Sequence, residues 1–324
     1  MTTPKWAYIG SFLLATIFCA PGWSQTPRVA RPGTLNYVEG QAAIGNQQLT
    51  DSSIGTAELA NGQSLTTQTG KAEILLTPGV VLRVADNSSV KMISADLANT
   101  EVEVDSGRAL LEVADIHKQN NIRIDENGVS TKILQKGLYD FDAAHNQVRA
   151  FQGKAQLYTD KKLTLTAGHE VTLASTGKLS AKNFDNKQYE DDFYRWSGLR
   201  SGYMSEANVD AARAYENGGP GWTGPGWYWD SGFDAYTFIP GDGIFYSPFG
   251  WGFYSPFALY GSPYFYYGGI YRGGPHRFGE FHAPYGHGVV PEGGFHGGSR
   301  GGIRGGVRGG VRGGGGLRGG GGRR

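Results

Sequence analysis

The chain has 324 residues, with 30 Lys and Arg set against 29 Asp and Glu for a formal net charge of +1. That balance excludes long-range steering of an acidic or basic partner by the whole protein, and leaves only local patches to do so. A single cysteine, Cys19, excludes a disulfide framework, and 53 glycines crowded into the second half shorten the part that can form a packed core.

Lys5 and Trp6 precede an apolar run from Ala7 to Ala20, followed by Pro21-Gly22-Trp23-Ser24-Gln25. A charged start, an apolar centre and a small-residue exit predict a secretory signal peptide over 1–24, cleaved after Ser24. The apolar run is short for a membrane crossing, so no transmembrane helix is expected after cleavage. Cys19 leaves with the signal peptide, and Phe18 before it argues against lipid attachment. The mature protein is therefore expected in the periplasm or outside the cell.

Residues 25–36, with Pro27 and Pro32, read as an extended lead-in. From Tyr37 to about residue 180 short apolar and polar alternations lie between turn signals, which predicts an all-β domain of many short strands. Gly40 interrupts the first strand and predicts a bend or bulge there. Asn61-Gly62, Pro78-Gly79, Asp86-Asn87, Ser106-Gly107 and Asn127-Gly128 read as turns, and Gly70, Gly137, Gly153 and Gly168 are assigned to turn geometry as well. None of these glycines opens the strand-to-helix loop that would cradle a phosphate.

Over 187–216 the spacing of Tyr189, Phe193, Trp196, Leu199 and Tyr203 predicts one or two helices, with Asp191 and Asp192 favouring the first turn and Asn208 a second start. This aromatic stripe is expected to pack on the β domain. Residues 217–292 form an aromatic Gly/Pro-rich extension, read as irregular or disordered. Twenty Phe, Trp or Tyr fall between Trp222 and Tyr271, and Phe245-Tyr246-Ser247-Pro248-Phe249 recurs eight residues later as Phe253-Tyr254-Ser255-Pro256-Phe257. The prolines argue against central strands and the glycines against helices, while the rings offer apolar area for self-association, envelope contact, packing or sugar stacking. The tail, 293–324, holds 18 glycines and, from Arg300 on, seven arginines and no acid. It is expected to be disordered, serving as a spacer or as a weak contact for anionic polymer or lipid.

Tyr37-Val38-Glu39-Gly40, Gln68-Thr69-Gly70-Lys71-Ala72-Glu73, Ser106-Gly107-Arg108 with Leu110 to Val113, and Ala167-Gly168-His169-Glu170 together resemble the pattern of FecR-type domains. The resemblance covers about 37–173. It implies an all-β unit for protein contacts, without catalytic residues, of the kind found in periplasmic parts of anti-sigma regulators. The chain looks like a secreted form of that family, because no cytoplasmic segment and membrane helix stand ahead of the domain.

No residue is assigned a catalytic, cofactor-binding or metal-ligating role. Ser88, Ser89, Ser106 and Ser130 lack the glycine-flanked elbow of an activated nucleophile, and His117, His145 and His169 have no nucleophile in their local sequence. His276, His282, His287 and His296 are too loosely spaced for a compact metal site. No cofactor is expected, and no specific nucleic acid. The sequence reads as a non-enzymatic bacterial envelope protein with a β scaffold for protein interaction and a C-terminal extension for self-association or envelope contact. Its rivals are a periplasmic signalling component acting with a separate membrane protein, and a carbohydrate-active enzyme whose residues converge only on folding.

Overall fold

In the computed structural model, which describes residues 30–159, 162–173, 179–216 and 222–261, fifteen short strands join in one sheet. In chain order they are β1 (Leu35–Ile44), β2 (Gln47–Gln48), β3 (Ser64–Leu75), β4 (Val80–Val84), β5 (Ser89–Ala95), β6 (Thr100–Ser106), β7 (Arg108–Val113) and β8 (Arg123–Glu126). They continue as β9 (Val129–Ile133), β10 (Gly137–Asp142), β11 (Gln147–Gln152), β12 (Lys154–Tyr158), β13 (Lys162–Thr166), β14 (His169–Thr172) and β15 (Ala181–Asn183). Pairing is antiparallel except between β6 and β8. The expected all-β class is what the structure shows.

The sheet divides at β3. Its C-terminal end pairs with β4, Ala72 opposite Val84 and Leu75 opposite Val81, while its N-terminal end pairs with β5, Ser64 opposite Lys91. One limb then runs β4-β7-β10-β11-β14-β15 and the other β5-β6-β8-β9-β12-β13. β13 returns beside β11 and β14, so the sheet nearly closes into a barrel.

Glycines make this division sterically accessible. Gly40 and Gly70 face each other across β1 and β3, and the register slips just after them. Gly40 has φ +67, and a Cβ on it would stand 2.1 Å from the Thr69 carbonyl oxygen. Gly107 alone joins β6 of one limb to β7 of the other; it has φ +72, and a Cβ there would meet the Asn87 carbonyl oxygen at 2.6 Å. The assignment of Gly70, Gly107 and Gly153 to turns is thus corrected: they are corners in extended chain, where a side chain would strike the neighbouring backbone. Gly79, Gly128 and Gly168 do occupy turns.

Between the limbs, Leu35, Leu65, Leu82, Val102, Phe141 and Leu157 belong to one buried cluster. Each such side chain contributes about 1.5–3 kcal/mol by leaving water.

After β15, a 3-10 turn (Asn186–Tyr189) leads into α1 (Asp192–Glu216). Asp191 caps the helix by accepting from the Tyr194 N–H at 2.9 Å. Asn208 starts no second helix; it lies within this single one, fully buried. Residues 222–261 then form β16 (Gly226–Asp230) paired with β17 (Ala235–Ile239), β18 (Ile244–Tyr246) paired with β19 (Gly252–Tyr254), and α2 (Pro256–Gly261). The two copies of the repeat meet in the second hairpin, Phe245 opposite Phe253. Pro248 falls in its turn and Pro256 opens α2, positions that need no backbone N–H. The segment 1–24 expected to be a signal peptide, the extension beyond 261 and the Arg/Gly tail lie outside the described residues. No helix among the described residues is long and apolar enough to cross a membrane.

Candidate interaction face

Alternation along the β4 limb puts Leu82 and Val84 into the core and turns Arg83 to the outer face. Glu73 on β3 stands directly opposite Arg83, and Glu112 on β7 completes the group. Arg83 donates from Nε to Glu73 at 2.9 Å and from Nη1 to Glu112. Both Arg83 and Glu73 are 0% exposed.

What removes them from water is α1. Its Arg200 donates to Glu73 at 3.1 Å and its Ser201 hydroxyl donates to Glu112 at 2.7 Å, while Asn36 of β1 donates to Glu73 at 2.9 Å. A buried charge is costly unless paired and hydrogen-bonded, and here Arg83, Glu73 and Glu112 each have at least two hydrogen-bond partners. Burial pushes the Glu73 carboxyl up, but Arg200 and Arg83 outweigh it and the net shift is downward. Burial likewise opposes the charge on Arg83, yet Glu112 and Glu73 raise its pKa overall.

A second ionic group continues across the same limb. Asp140 on β10 receives Arg108 Nε at 2.7 Å and Arg149 Nη1 at 2.8 Å, and Arg149 reaches Glu170 on β14 at 3.0 Å. Asp140 is opposite Arg149, and Arg149 opposite Glu170, so these are cross-strand pairs. The cover engages them too: Arg108 bonds Asp191 at the start of α1, and the Arg149 guanidinium lies 4.0 Å from the Tyr189 ring centroid.

The hairpins are pinned to α1 and the sheet by side-chain amides. Asn208 donates to the carbonyls of Phe238 at 2.8 Å and Tyr254 at 3.0 Å, and accepts from the Tyr254 N–H at 2.7 Å. Asn36 accepts from the Tyr236 N–H at 2.7 Å, and the Trp227 indole donates to the Leu76 carbonyl at 3.1 Å. Gly198 and Gly202, expected only to weaken the helix, leave room for the Phe249 and Trp251 rings, which would lie 3.1 Å from a Cβ at either position. A cleft of about 400 Å3 remains between α1 and the β16–β17 turn, bordered by Tyr37, Arg200, Tyr203, Met204 and Phe233.

Of the predicted aromatic stripe, Phe193 is buried, and Tyr189 and Trp196 pack against the same cluster. Leu199 and Tyr203 do not: they are 55% and 45% exposed. The helix turns them away because its packed side is lined by Ser197, Arg200, Ser201, Met204, Ala207 and Asn208. Polar residues in four of these six positions hid the packed face from an apolar periodicity.

The three described histidines are dispersed. His117 Nε2 is 3.3 Å from Asp115, His145 Nδ1 is 2.9 Å from Asp142, and His169 Nδ1 is 3.2 Å from the Thr166 hydroxyl on an exposed hairpin. The Ser88 hydroxyl donates to the Asp86 carbonyl and accepts from the Arg108 N–H, and Ser89 bonds Asp105. Among the described residues no cluster of three or more His, Cys, Asp or Glu side chains is arranged to hold a metal ion. Glu126 is buried with neither carboxylate oxygen hydrogen-bonded; burial, then Asp140 and Asp142, push its pKa up to about 8.

No family model matches the sequence, and no curated protein matches it. Among solved structures, the chain is similar to a candidate anti-sigma factor from Parabacteroides distasonis ATCC 8503, with 14% identity over 39% of this chain and 62% of that one and a TM-score of 0.34. A second crystal structure described in the same words gives 15% identity over 38% and 60%, again with a TM-score of 0.34. The chain therefore spans about 60% of the length of these structures.

Proposed function

We propose that this protein is a non-enzymatic component of the bacterial envelope, a β scaffold that meets a partner or a second copy of itself through the helix and hairpin layer. One observation carries the reading. The layer that covers the buried ion pairs places large apolar side chains outward, with Tyr246 57% and Phe257 68% exposed, and Ile244 and Trp251 partly so. Rings held outward on an anchored support act as contacts at low entropic cost.

The signal-peptide pattern over 1–24 supports a periplasmic or extracellular location, and the FecR resemblance of the β domain supports a role in protein contact. The Arg/Gly tail is assigned a weak, salt-sensitive contact with anionic polymer or lipid.

The test compares the full mature chain with its Tyr246→Ser/Phe257→Ser double variant, by sedimentation velocity and by cross-linking in isolated envelopes. Loss of self-association, or of a discrete cross-linked partner, in the double variant is the expected result. Unchanged association by both measures removes the hairpin layer as the contact surface.

A further inference from the structure

The exposed side of α1 is a single narrow stripe. Leu199 and Tyr203 stand at its middle, and Asp192 with Arg195 at one end and Asp210 with Arg213 at the other each have more than half of the side chain in water. Spacings of three or four residues keep these six positions, with exposed Glu206, within about a quarter of the helix circumference. Trp251 borders the stripe. Its indole donates to the Gly198 carbonyl at 2.9 Å and its ring lies against Gly202, so a third apolar side chain, partly exposed, joins Leu199 and Tyr203.

The charges on the stripe have an order. Each end reads acid and then, three residues on, base, and the two ends lie 18 residues apart, which is five turns. Within the chain, Arg195 pairs with Asp192 at 2.5 Å and Arg213 with Asp210 at 3.6 Å. A second identical helix laid in the opposite direction meets this order with its complement: Arg195 faces Asp210 of the second copy, and Asp192 faces Arg213. One register satisfies both ends at once, and by symmetry each contact forms twice. A parallel copy in register sets acid on acid and base on base. The antiparallel register also brings Arg195 beside Glu206 of the second copy, one turn from Asp210. That cation relieves a like-charge pair, since burial and then Asp210 push the Glu206 carboxyl up.

We infer that α1 is the contact of a two-fold dimer, laid antiparallel on the α1 of a second copy, with Leu199, Tyr203 and Trp251 near the axis and Arg195–Asp210 pairs closing both ends. The inference rests on the helix and hairpin layer being the contact face, and adds the occupant and its register. The helix has 25 residues and is about 37 Å long. A contact of that length is small for an obligate dimer, so the association is reversible, with a Kd on the order of micromolar.

Sedimentation velocity of the full mature chain over a concentration series tests it by charge exchange. Arg195→Glu and Asp210→Arg each set like charges together at both ends, and each is expected to weaken self-association about tenfold. An equimolar mixture of the two variants is expected to restore it, because both end contacts of the mixed dimer are again opposite in sign. A local disturbance of the helix by either substitution would not be undone by mixing. Leu199→Glu, at an exposed position, is expected to abolish association at the same concentrations with an unchanged circular dichroism spectrum. A chain that stays monomeric at every concentration, or a mixture that associates no better than its components, overturns the inference. Tyr246→Ser/Phe257→Ser, run alongside, separates the two readings. Association lost in that variant but indifferent to charge exchange removes the α1 register and leaves the hairpin layer as the contact, whereas association indifferent to every substitution removes both.

Discussion

The two limbs of the sheet carry the same sequence pattern and meet different fates. On β4 and β7, Arg83 and Glu112 alternate with Leu82 and Leu111; on β5 and β6, Lys91 and Glu103 alternate with Val90 and Val102. The inward residues are equivalent, and all join one core. The outward charges are not: those of the β4 limb are sealed under α1, while Lys91 and Glu103 stay partly in water. Charge at an alternate strand position therefore marks a face turned from the core, and says nothing of whether another element later covers it.

Removing one buried partner gives the sharpest contrast. Arg83→Ala leaves Glu73 and Glu112 buried with a single remaining ionic partner, Arg200, between them, and is expected to cost about 3–5 kcal/mol. Lys91→Ala on the other limb is expected to stay within about 0.5 kcal/mol. Chemical denaturation of the two variants measures both, and equal losses would show that α1 does not desolvate the β4 limb. Asn208→Ala comes next, at about 2–3 kcal/mol, because it strands the Phe238 and Tyr254 carbonyls beneath the hairpins. Its signature is faster amide exchange in residues 226–254 with the β domain unchanged; uniform acceleration would mean that hairpins and sheet open together.

Two carboxylates separate the regions by pH with opposite sign. Glu73 holds its proton less tightly folded than unfolded, so its stabilisation is present above the ordinary carboxylate range and lost as pH falls through its lowered folded value. Glu126 does the reverse. Its stabilisation is whole below the unfolded value near 4.5 and is lost as pH rises through about 8. Between pH 5 and 7 the loss is expected to reach about 1–2 kcal/mol, discounted for local relaxation around the carboxyl. Glu126→Gln should flatten that slope in melting-temperature profiles, and a parallel profile would mean that Glu126 ionises freely in the fold.

Much of the β domain was legible because period-two alternation and Asn-Gly turns are local signals. Asn87 and Asn127 take up the left-handed backbone that their turns require. The corners at Gly70, Gly107 and Gly153 were not legible as such. A glycine in a corner and one in a turn look alike until the strand opposite is known. The interaction face was hidden for a related reason: its packed helix side uses Arg200, Ser201 and Asn208, whose partners lie up to 127 residues away in the chain. Clustering of aromatics did mark residues 222–261 as more than a spacer. Pairing of the repeat with itself depended on Ser247-Pro248-Phe249-Gly250 forming the intervening turn, with the Phe249 N–H bonded to the Ser247 hydroxyl.

The smallest expected effect tests the comparison most directly, because it holds geometry fixed. Glu73 and Arg83 are direct cross-strand neighbours on one limb, and Lys91 and Glu103 are direct cross-strand neighbours on the other. A double-mutant cycle on each pair removes differences in strand propensity and reports coupling alone. For Lys91 and Glu103 the coupling should be below about 0.5 kcal/mol and vanish in high salt, as water and counterions screen both charges. For Glu73 and Arg83 it should be several-fold larger and insensitive to salt, since no ion reaches groups with no exposed surface. Salt dependence, more than magnitude, is the decisive reading. Coupling that is screened equally in both pairs would mean that water enters beneath α1, and the cover would then be a loose lid on the β4 limb instead of part of its core.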